Sequence, residues 1–255
     1  MSDRPSNLAV VIDEAVQPLL DGFVASVCEV AAVEAIWLHG SLALGDYQLG
    51  RSDLDVVAVV SSPPTPAVAE LHQELMRSDP LAAKLHCSYM LRSQLADPSV
   101  RHPTFAQGRY FDRPVTPVTR RELAIGNRTL FGPAPAGLLP PTSDDELFAF
   151  IRRDLREFWL PATRKRSNWY ADIWVDLSLL TIARAHVTLA TGDLITKRAA
   201  FDVLPRLGAP ADVVEDIRRR RYGPAFRTGP WWRHTRAGLT RRFVRTAIPA
   251  VLSSR

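Results

Sequence analysis

The residues with chemistry to offer are Gly40 and Ser41, followed after eleven residues by Asp53-Leu54-Asp55 at the head of the apolar run Val56-Val57-Ala58-Val59-Val60. Side chains alternate along a strand, so Asp53 and Asp55 would project from one face while Leu54 points into a core. Two carboxylates about 7 Å apart along a strand can share a hard divalent cation that takes its other ligands from water and triphosphate oxygens; magnesium is the expected metal. Gly40 would let the backbone approach a phosphate closely, and Ser41 can donate its hydroxyl and its backbone N–H to a phosphate oxygen. A lone Asp-x-Asp would read as a turn and a strand edge. Here the pair opens an apolar strand after a glycine-bearing connection, and the Gly-Ser pair follows another apolar run, so a site for metal and phosphate is the stronger reading.

The elements that must hold these residues follow from periodicity. Leu8, Val11, Ile12, Val16, Leu19, Leu20, Phe23, Val24 and Val27 recur at helical spacing and predict an amphipathic first helix. Ala35–His39 and Asp55–Val60 read as two strands of one sheet, with turn-prone Gly45, Asp46, Gly50 and Ser52 between them. Pro63, Pro64 and Pro66 precede a helical stretch from Ala67 to Met76, and Leu85–Leu91 reads as a third strand. The proline-dense stretch from Asp97 to Pro141 predicts extended or short helical pieces at a domain border. Ser143 then stands three residues before Glu146 in the pattern of a capping box. From there the spacing is helical throughout: 144–160, 172–191 ending at Gly192, a helix after Thr196 as N-cap, and helices near 211–221 and 231–247. The expectation is an α+β chain: a nucleotide-site domain over 1–141 with a small mixed sheet and helices, then an all-α bundle over 142–255.

Composition bounds the function. The 255 residues are 46% hydrophobic, enough for a substantial core. The N-terminus lacks the basic head and apolar run of a secretory signal, and no run of about 18 apolar residues occurs, so a cytoplasmic location without membrane contact is expected. Cys28 and Cys87, both inside apolar segments, exclude a four-cysteine zinc site and are expected to be reduced and buried. Residues 1–150 hold 11 basic and 18 acidic side chains, whereas 151–255 hold 21 and 9. One half could hold metal and the other phosphate. Nucleic acid is not an expected partner, because no aromatic platform of the kind single-strand binders use accompanies those arginines, and there is no helix-turn-helix or zinc-finger spacing. Oligomeric state is not legible.

Leu38-His39-Gly40-Ser41, Gly45 and Ser52-Asp53-Leu54-Asp55 together resemble the signature of the DNA polymerase β-like nucleotidyltransferase superfamily, and within it they look most like aminoglycoside adenylyltransferases acting on streptomycin and spectinomycin. The likeness continues through Gly126, Leu130-Phe131-Gly132-Pro133, Ala183-Arg184, Thr191-Gly192 and Lys197, nearly the whole chain. It implies a polymerase β-like domain followed by a helical one. It also implies transfer of AMP from ATP to an acceptor hydroxyl with magnesium on Asp53 and Asp55, and hence an antibiotic-resistance role. In such enzymes the counterparts of Arg184 and Lys197 reach the triphosphate across an interdomain cleft.

One departure stands out. The resembling enzymes place a third carboxylate, the general base, on the strand after the second helix, where this chain has His86. A neutral imidazole can accept a hydroxyl proton near pH 7; Glu70, Glu74 and Asp112 are the other candidates. For the acceptor, Trp169, Asp172, Trp174 and Asp176 offer aromatics and acids suited to a cationic, hydroxyl-rich sugar, although core packing explains the tryptophans nearly as well. Trp231-Trp232 reads as packing for the last helix. Two other functions stay open: a nucleotide-binding protein of this fold with little turnover, and a transferase acting on RNA or protein hydroxyls.

Overall fold

A computed structural model describes residues 14–224 and 226–253. The chain divides into two compact units, the first ending at Pro141 and the second starting at Thr142.

In the first unit, helix α1 (Gln17–Val30) precedes strand β1 (Val33–Leu38) and the short helix α2 (Gly40–Ala43). Strand β2 (Leu54–Val60), helix α3 (Pro66–Ser78) and strand β3 (Leu85–Leu91) follow. The Leu8, Val11 and Ile12 part of the expected first helix lies outside the described residues; the remainder buries Leu19, Leu20, Phe23 and Val27. The six-stranded mixed sheet has the order β5-β4-β3-β2-β1-β6. Only β2 and β3 are parallel neighbours; the other pairs are antiparallel. This is the mixed sheet with helices that the motifs implied.

The stretch expected to hold extended or short helical pieces supplies half of that sheet: β4 (Arg101–Ala106), β5 (Arg109–Pro114), helix α4 (Pro117–Gly126) and β6 (Arg128–Phe131). Pro103, which lacks an N–H, falls just beyond the two-residue ladder that β4 shares with β3, so no hydrogen bond to that neighbour is lost. Gln107 and Gly108 join β4 to β5 with positive φ values of 53° and 68°, a two-residue hairpin turn without the usual Asn-Gly signal. Thr116 caps α4, its hydroxyl accepting from the Thr119 N–H.

Alternation sorts the sheet's side chains onto two faces. Leu54, Val56, Ala58 and Val60 join Cys87 and Tyr89 in a core with α1 and α3. Val57, Val59, Trp37 and Met90 pack with Leu95, Val115 and Leu123 on the other face. Trp37 donates its indole N–H to the Pro133 carbonyl at 2.8 Å, tying the chain beyond β6 to β1.

The second unit is helical. Helix α5 (Asp144–Asp154) continues through a π-helical turn at Leu155–Trp159 into α6 (Leu160–Ala162). It is followed by α7 (Asp172–Thr191), α8 (Lys197–Val203), α9 (Ala211–Tyr222) and α10 (Pro230–Ser253). Ser143 and Glu146 form both halves of the capping box, Thr196 caps α8 through the Ala199 N–H, and Gly192 ends α7 in the left-handed region at φ 80°. Helix α7 is long and apolar enough by length and composition to cross a membrane. It buries Val175, Leu179, Ile182 and Ala183 within the unit and packs against α10, as a core helix does.

Two expectations are corrected. Cys87 is buried, its thiol pushed up to about 12 by burial, whereas Cys28 lies on the exposed side of α1, because the apolar run around it contributes only every third or fourth residue to the core. Trp231 does not pack α10: it is 79% exposed at that helix's first turn.

Candidate active site

The parallel pairing of β2 with β3 sets Asp55 directly beside His86. Asp53 lies one residue before β2 and still converges on the same point. The His86 Nδ1 is 3.9 Å from an Asp53 oxygen and 3.7 Å from an Asp55 oxygen. Lys84, two residues earlier, brings its Nζ to 3.4 Å from the other Asp53 oxygen. His86 is buried, while the carboxylate side chains of Asp53 and Asp55 keep 43% and 26% exposure. Two carboxylates thus stand at the mouth of the site with a buried imidazole beneath them.

The Gly40-Ser41 turn is held against this pair. The His39 N–H donates to the Asp55 carbonyl at 3.0 Å, and the Asp46 N–H closes the turn on the Ser41 carbonyl at 2.8 Å. Gly40 has φ 65°, and a β-carbon there would sit 2.6 Å from the Asp55 Oδ2. Glycine is therefore required twice, by conformation and by the carboxylate it abuts. Ser52 secures the intervening loop, its hydroxyl accepting from the Gln48 N–H at 3.1 Å. From behind, α4 approaches so closely that a β-carbon at Gly126 would lie 2.8 Å from the Ala43 Cβ of α2. His39, just before the turn, faces the buried Glu122 of α4 at 3.4 Å.

Other residues share the site's face of the sheet. Two positions beyond His86 on β3, Ser88 accepts from the Thr104 hydroxyl at 2.9 Å and from the Arg113 Nε at 3.4 Å. Ser88 was not singled out from the sequence, although the alternation of β3 puts it on the face of His86; Thr104 and Arg113 come from strands that were not foreseen. Glu70 and Glu74 lie on α3, which covers the opposite face. Asp112 alternates onto that opposite face with Pro103 and Phe105, the latter stacked on His72 of α3 at 4.2 Å. None of the three alternatives accompanies Asp55.

Among the described residues no group of three His, Cys, Asp or Glu side chains could hold a metal ion. The carboxylate pair fits an ion that completes its shell from water and a nucleotide: both donors are hard oxygens, both are accessible, and Gly40 leaves Asp55 room for a further ligand.

In the second unit Arg184 donates its Nε to the Ile195 carbonyl at 2.9 Å, which sets it beside the turn leading into Lys197 at the start of α8. The other three sequence-predicted residues are occupied within the unit. Trp169 is fully buried and meets Trp174 edge-on with centroids 6.1 Å apart. Asp172 is paired with Arg236, and Asp176 with Arg220; both arginines also bind Asp216, Arg236 at 2.9 Å. Burial raises the Asp176 carboxyl despite Arg220, whereas at Asp216 burial is outweighed by the two arginines and the carboxyl is held low. Asp172 alone of the three keeps much surface, at 45% of its side chain. Arg220 and Asp216 stand four residues apart on α9, a helical ion-pair spacing visible in the sequence, whereas Arg236 and the pairing of Arg220 with Asp176 carry no such signal, their partners lying 20, 64 and 44 residues away.

Residues 20–99 match the nucleotidyltransferase domain family, a span that contains Gly40, Ser41, Asp53, Asp55 and His86. The fold is similar to that of the spectinomycin adenyltransferase AAD(9) from Enterococcus faecialis, solved with ATP and spectinomycin. The TM-score is 0.65 and the identity 17%, over 89% of this chain and 98% of that one. E. coli MS115-1 CdnC, solved with ATP, matches at a TM-score of 0.23 and 13% identity over 79% of this chain and 59% of that one, too low to bear on the fold. No curated protein matches the chain. The resemblance seen in the motifs thus holds for the domain family and for the fold, including the helical second unit, and the chain carries the domain of a nucleotide-transferring enzyme.

Proposed function

We propose that this nucleotidyltransferase moves AMP from ATP onto a hydroxyl of a small, cationic, polyhydroxylated acceptor of the aminoglycoside type. The observation that carries the proposal is the convergence of Asp53 and Asp55 beside Gly40, with both carboxylates open and Gly40 unable to accept a side chain. ATP as donor and such an acceptor are suggested by the adenyltransferase of like fold, which holds ATP and spectinomycin.

Magnesium held by Asp53 and Asp55 would supply charge neutralisation on the triphosphate and a fixed in-line geometry. Gly40 and Ser41 bind and orient phosphate oxygens through the backbone and the Ser41 hydroxyl. The acceptor oxygen bonds to the α-phosphorus as the bond to the departing pyrophosphate breaks. Its proton goes to His86, whose Nδ1 lies within 4 Å of both carboxylates. Arg184 and Lys197 would neutralise the pyrophosphate. Such chemistry on a small acceptor suits a cytoplasmic protein.

The test is pyrophosphate release with ATP, GTP, CTP and UTP against an aminoglycoside panel, read together with product mass. Asp53→Asn combined with Asp55→Asn should abolish release; retained transfer would remove the assignment. His86 in the place of an acid favours one second reading, a nucleotide-binding protein with little turnover. Calorimetric binding of ATP and magnesium without release for any acceptor would establish that reading instead.

A further inference from the structure

We propose a second ligand site on the helical unit, a groove along α10 that takes the phosphate backbone of a single-stranded nucleic acid. It uses none of the residues assigned to transfer and stands independently of that reading.

Two open pockets share one floor. The first, about 160 Å³, is lined by Arg166, Tyr170, His234, Ala237, Gly238 and Arg241. The second, about 360 Å³, is lined by Gly238, Arg241, Arg242, Arg245 and Thr246. No carboxylate lines either, and α10 carries no acidic residue along its length. Its arginines are not there to meet the helix dipole, because its last turn holds no basic side chain. Only Arg236 is turned inward, to Asp172 and Asp216. Arg166, Arg242 and Arg245 are exposed, and Arg241 is braced by donating its Nε to the Thr163 carbonyl at 2.6 Å.

Aromatic rings complete the groove. The Tyr170 hydroxyl meets the His234 Nδ1 at 3.0 Å, which fixes two rings against the arginines. Trp231 stands one helical turn before His234 on the same stripe, exposed. Aromatic and basic groups are thus brought together in space, from the 166–170 segment and α10. From His234 to Thr246 the stripe runs about 18 Å at the α-helical rise, long enough for several backbone phosphates, with ring faces for bases.

Gly238 is the independent sign of a ligand. A glycine inside a helix is unfavourable relative to alanine, and packing does not demand this one: a β-carbon there would meet nothing within 4 Å. It lies at the floor common to both pockets, where it leaves the helix backbone open to a close approach.

The experiment is fluorescence anisotropy of the full chain with labelled twelve-nucleotide RNA and DNA strands, at several salt concentrations, with tripolyphosphate as competitor. Contacts to about three phosphates predict a log–log salt slope of about −2 for a single strand. Arg242→Gln with Arg245→Gln should weaken binding about tenfold and flatten the slope by about 1.4. Gly238→Ala should weaken binding several-fold while the melting temperature stays level or rises, which a purely structural glycine would not do. Trp231→Ala should weaken strands and leave tripolyphosphate unaffected. All three variants of the groove should keep wild-type pyrophosphate release, and Asp53→Asn with Asp55→Asn should keep strand binding, so the two sites fail separately. A preference between RNA and DNA names the source of the strand. The proposal is overturned by no strand binding at low salt, by tripolyphosphate binding as tightly as strands, or by groove variants that bind like the wild type.

Discussion

The two units each bring aspartates next to cationic side chains, and they use the arrangement in opposite ways. At the β2–β3 corner, Asp53 and Asp55 face Lys84 and His86 at 3.4 to 3.9 Å and remain partly open to water. In the helical unit, Asp172, Asp216 and Asp176 alternate with Arg236 and Arg220 in a chain of direct ion pairs whose central members are buried. Buried ions recover their desolvation only through close, saturating contacts, and once so paired they have little left for a ligand. Carboxylates that keep contact with water carry no such debt. Proximity of opposite charges therefore does not mark a site; the exposure of the acids does.

Attacking each arrangement should produce different kinds of loss. Asp53→Asn with Asp55→Asn should cost at least about 10³-fold in pyrophosphate release, roughly 4 kcal/mol of barrier, with a melting temperature near that of the wild type. Substantial unfolding in that variant would make the corner structural and erase the contrast. Arg236→Ala should do the reverse, costing about 3–5 kcal/mol of stability in urea titration because Asp172 and Asp216 lose a buried partner. If stability holds, the network is not closed in the sense argued here.

A closed polar contact in the first unit tests whether closure, rather than the unit, decides. His72 is buried under the sheet, its Nε2 2.8 Å from the Tyr89 hydroxyl, and burial lowers its pKa to about 4. The native state then binds fewer protons than the unfolded chain between pH 6.5 and 4. The stability this group contributes is full above pH 6.5 and is lost as pH falls toward 4, by about 3 kcal/mol. His72→Gln should flatten that part of the pH–stability curve; an unchanged acid limb would show that His72 is not the group responsible. The smallest effect is expected at Lys84, a surface partner of Asp53 at 3.4 Å. Lys84→Ala should change stability by less than about 1 kcal/mol and leave pyrophosphate release within a fewfold of wild type.

Legibility followed distance along the chain. The strands that carry Asp55 and His86 could be read because the apolar runs 55–60 and 85–91 nearly coincide with β2 and β3, whereas the place of His86 beside the carboxylates was implied by the family resemblance and not by the pattern. Capping at Ser143 and Thr196 and the stop at Gly192 were local signals and held. The three strands of the 97–141 stretch were hidden by its proline density, although Pro103 stands where no bond to β3 is lost, and by a Gln-Gly turn with unremarkable letters. The arginines that occupy Asp172 and Asp176 were hidden because periodicity says which face of α9 or α10 is polar, not which distant acid it meets. Trp231 was misjudged for the same reason: pattern identifies a large apolar residue, but only packing says whether a neighbour exists to cover it.

The hairpin at Gln107-Gly108 also bears on how the protein tolerates its own concentration. It makes β5 the outermost strand, with backbone groups along one side that have no strand beyond them. Such an edge invites a second chain to add itself. Here it is short, bears Arg109, Asp112 and Arg113, and stops at Pro114, so the charges repel a copy in register and the proline ends any ladder that begins. Tyr110 and Phe111, both exposed between those charges, would become a seed for fibrous aggregation if the arginines beside them were neutralised.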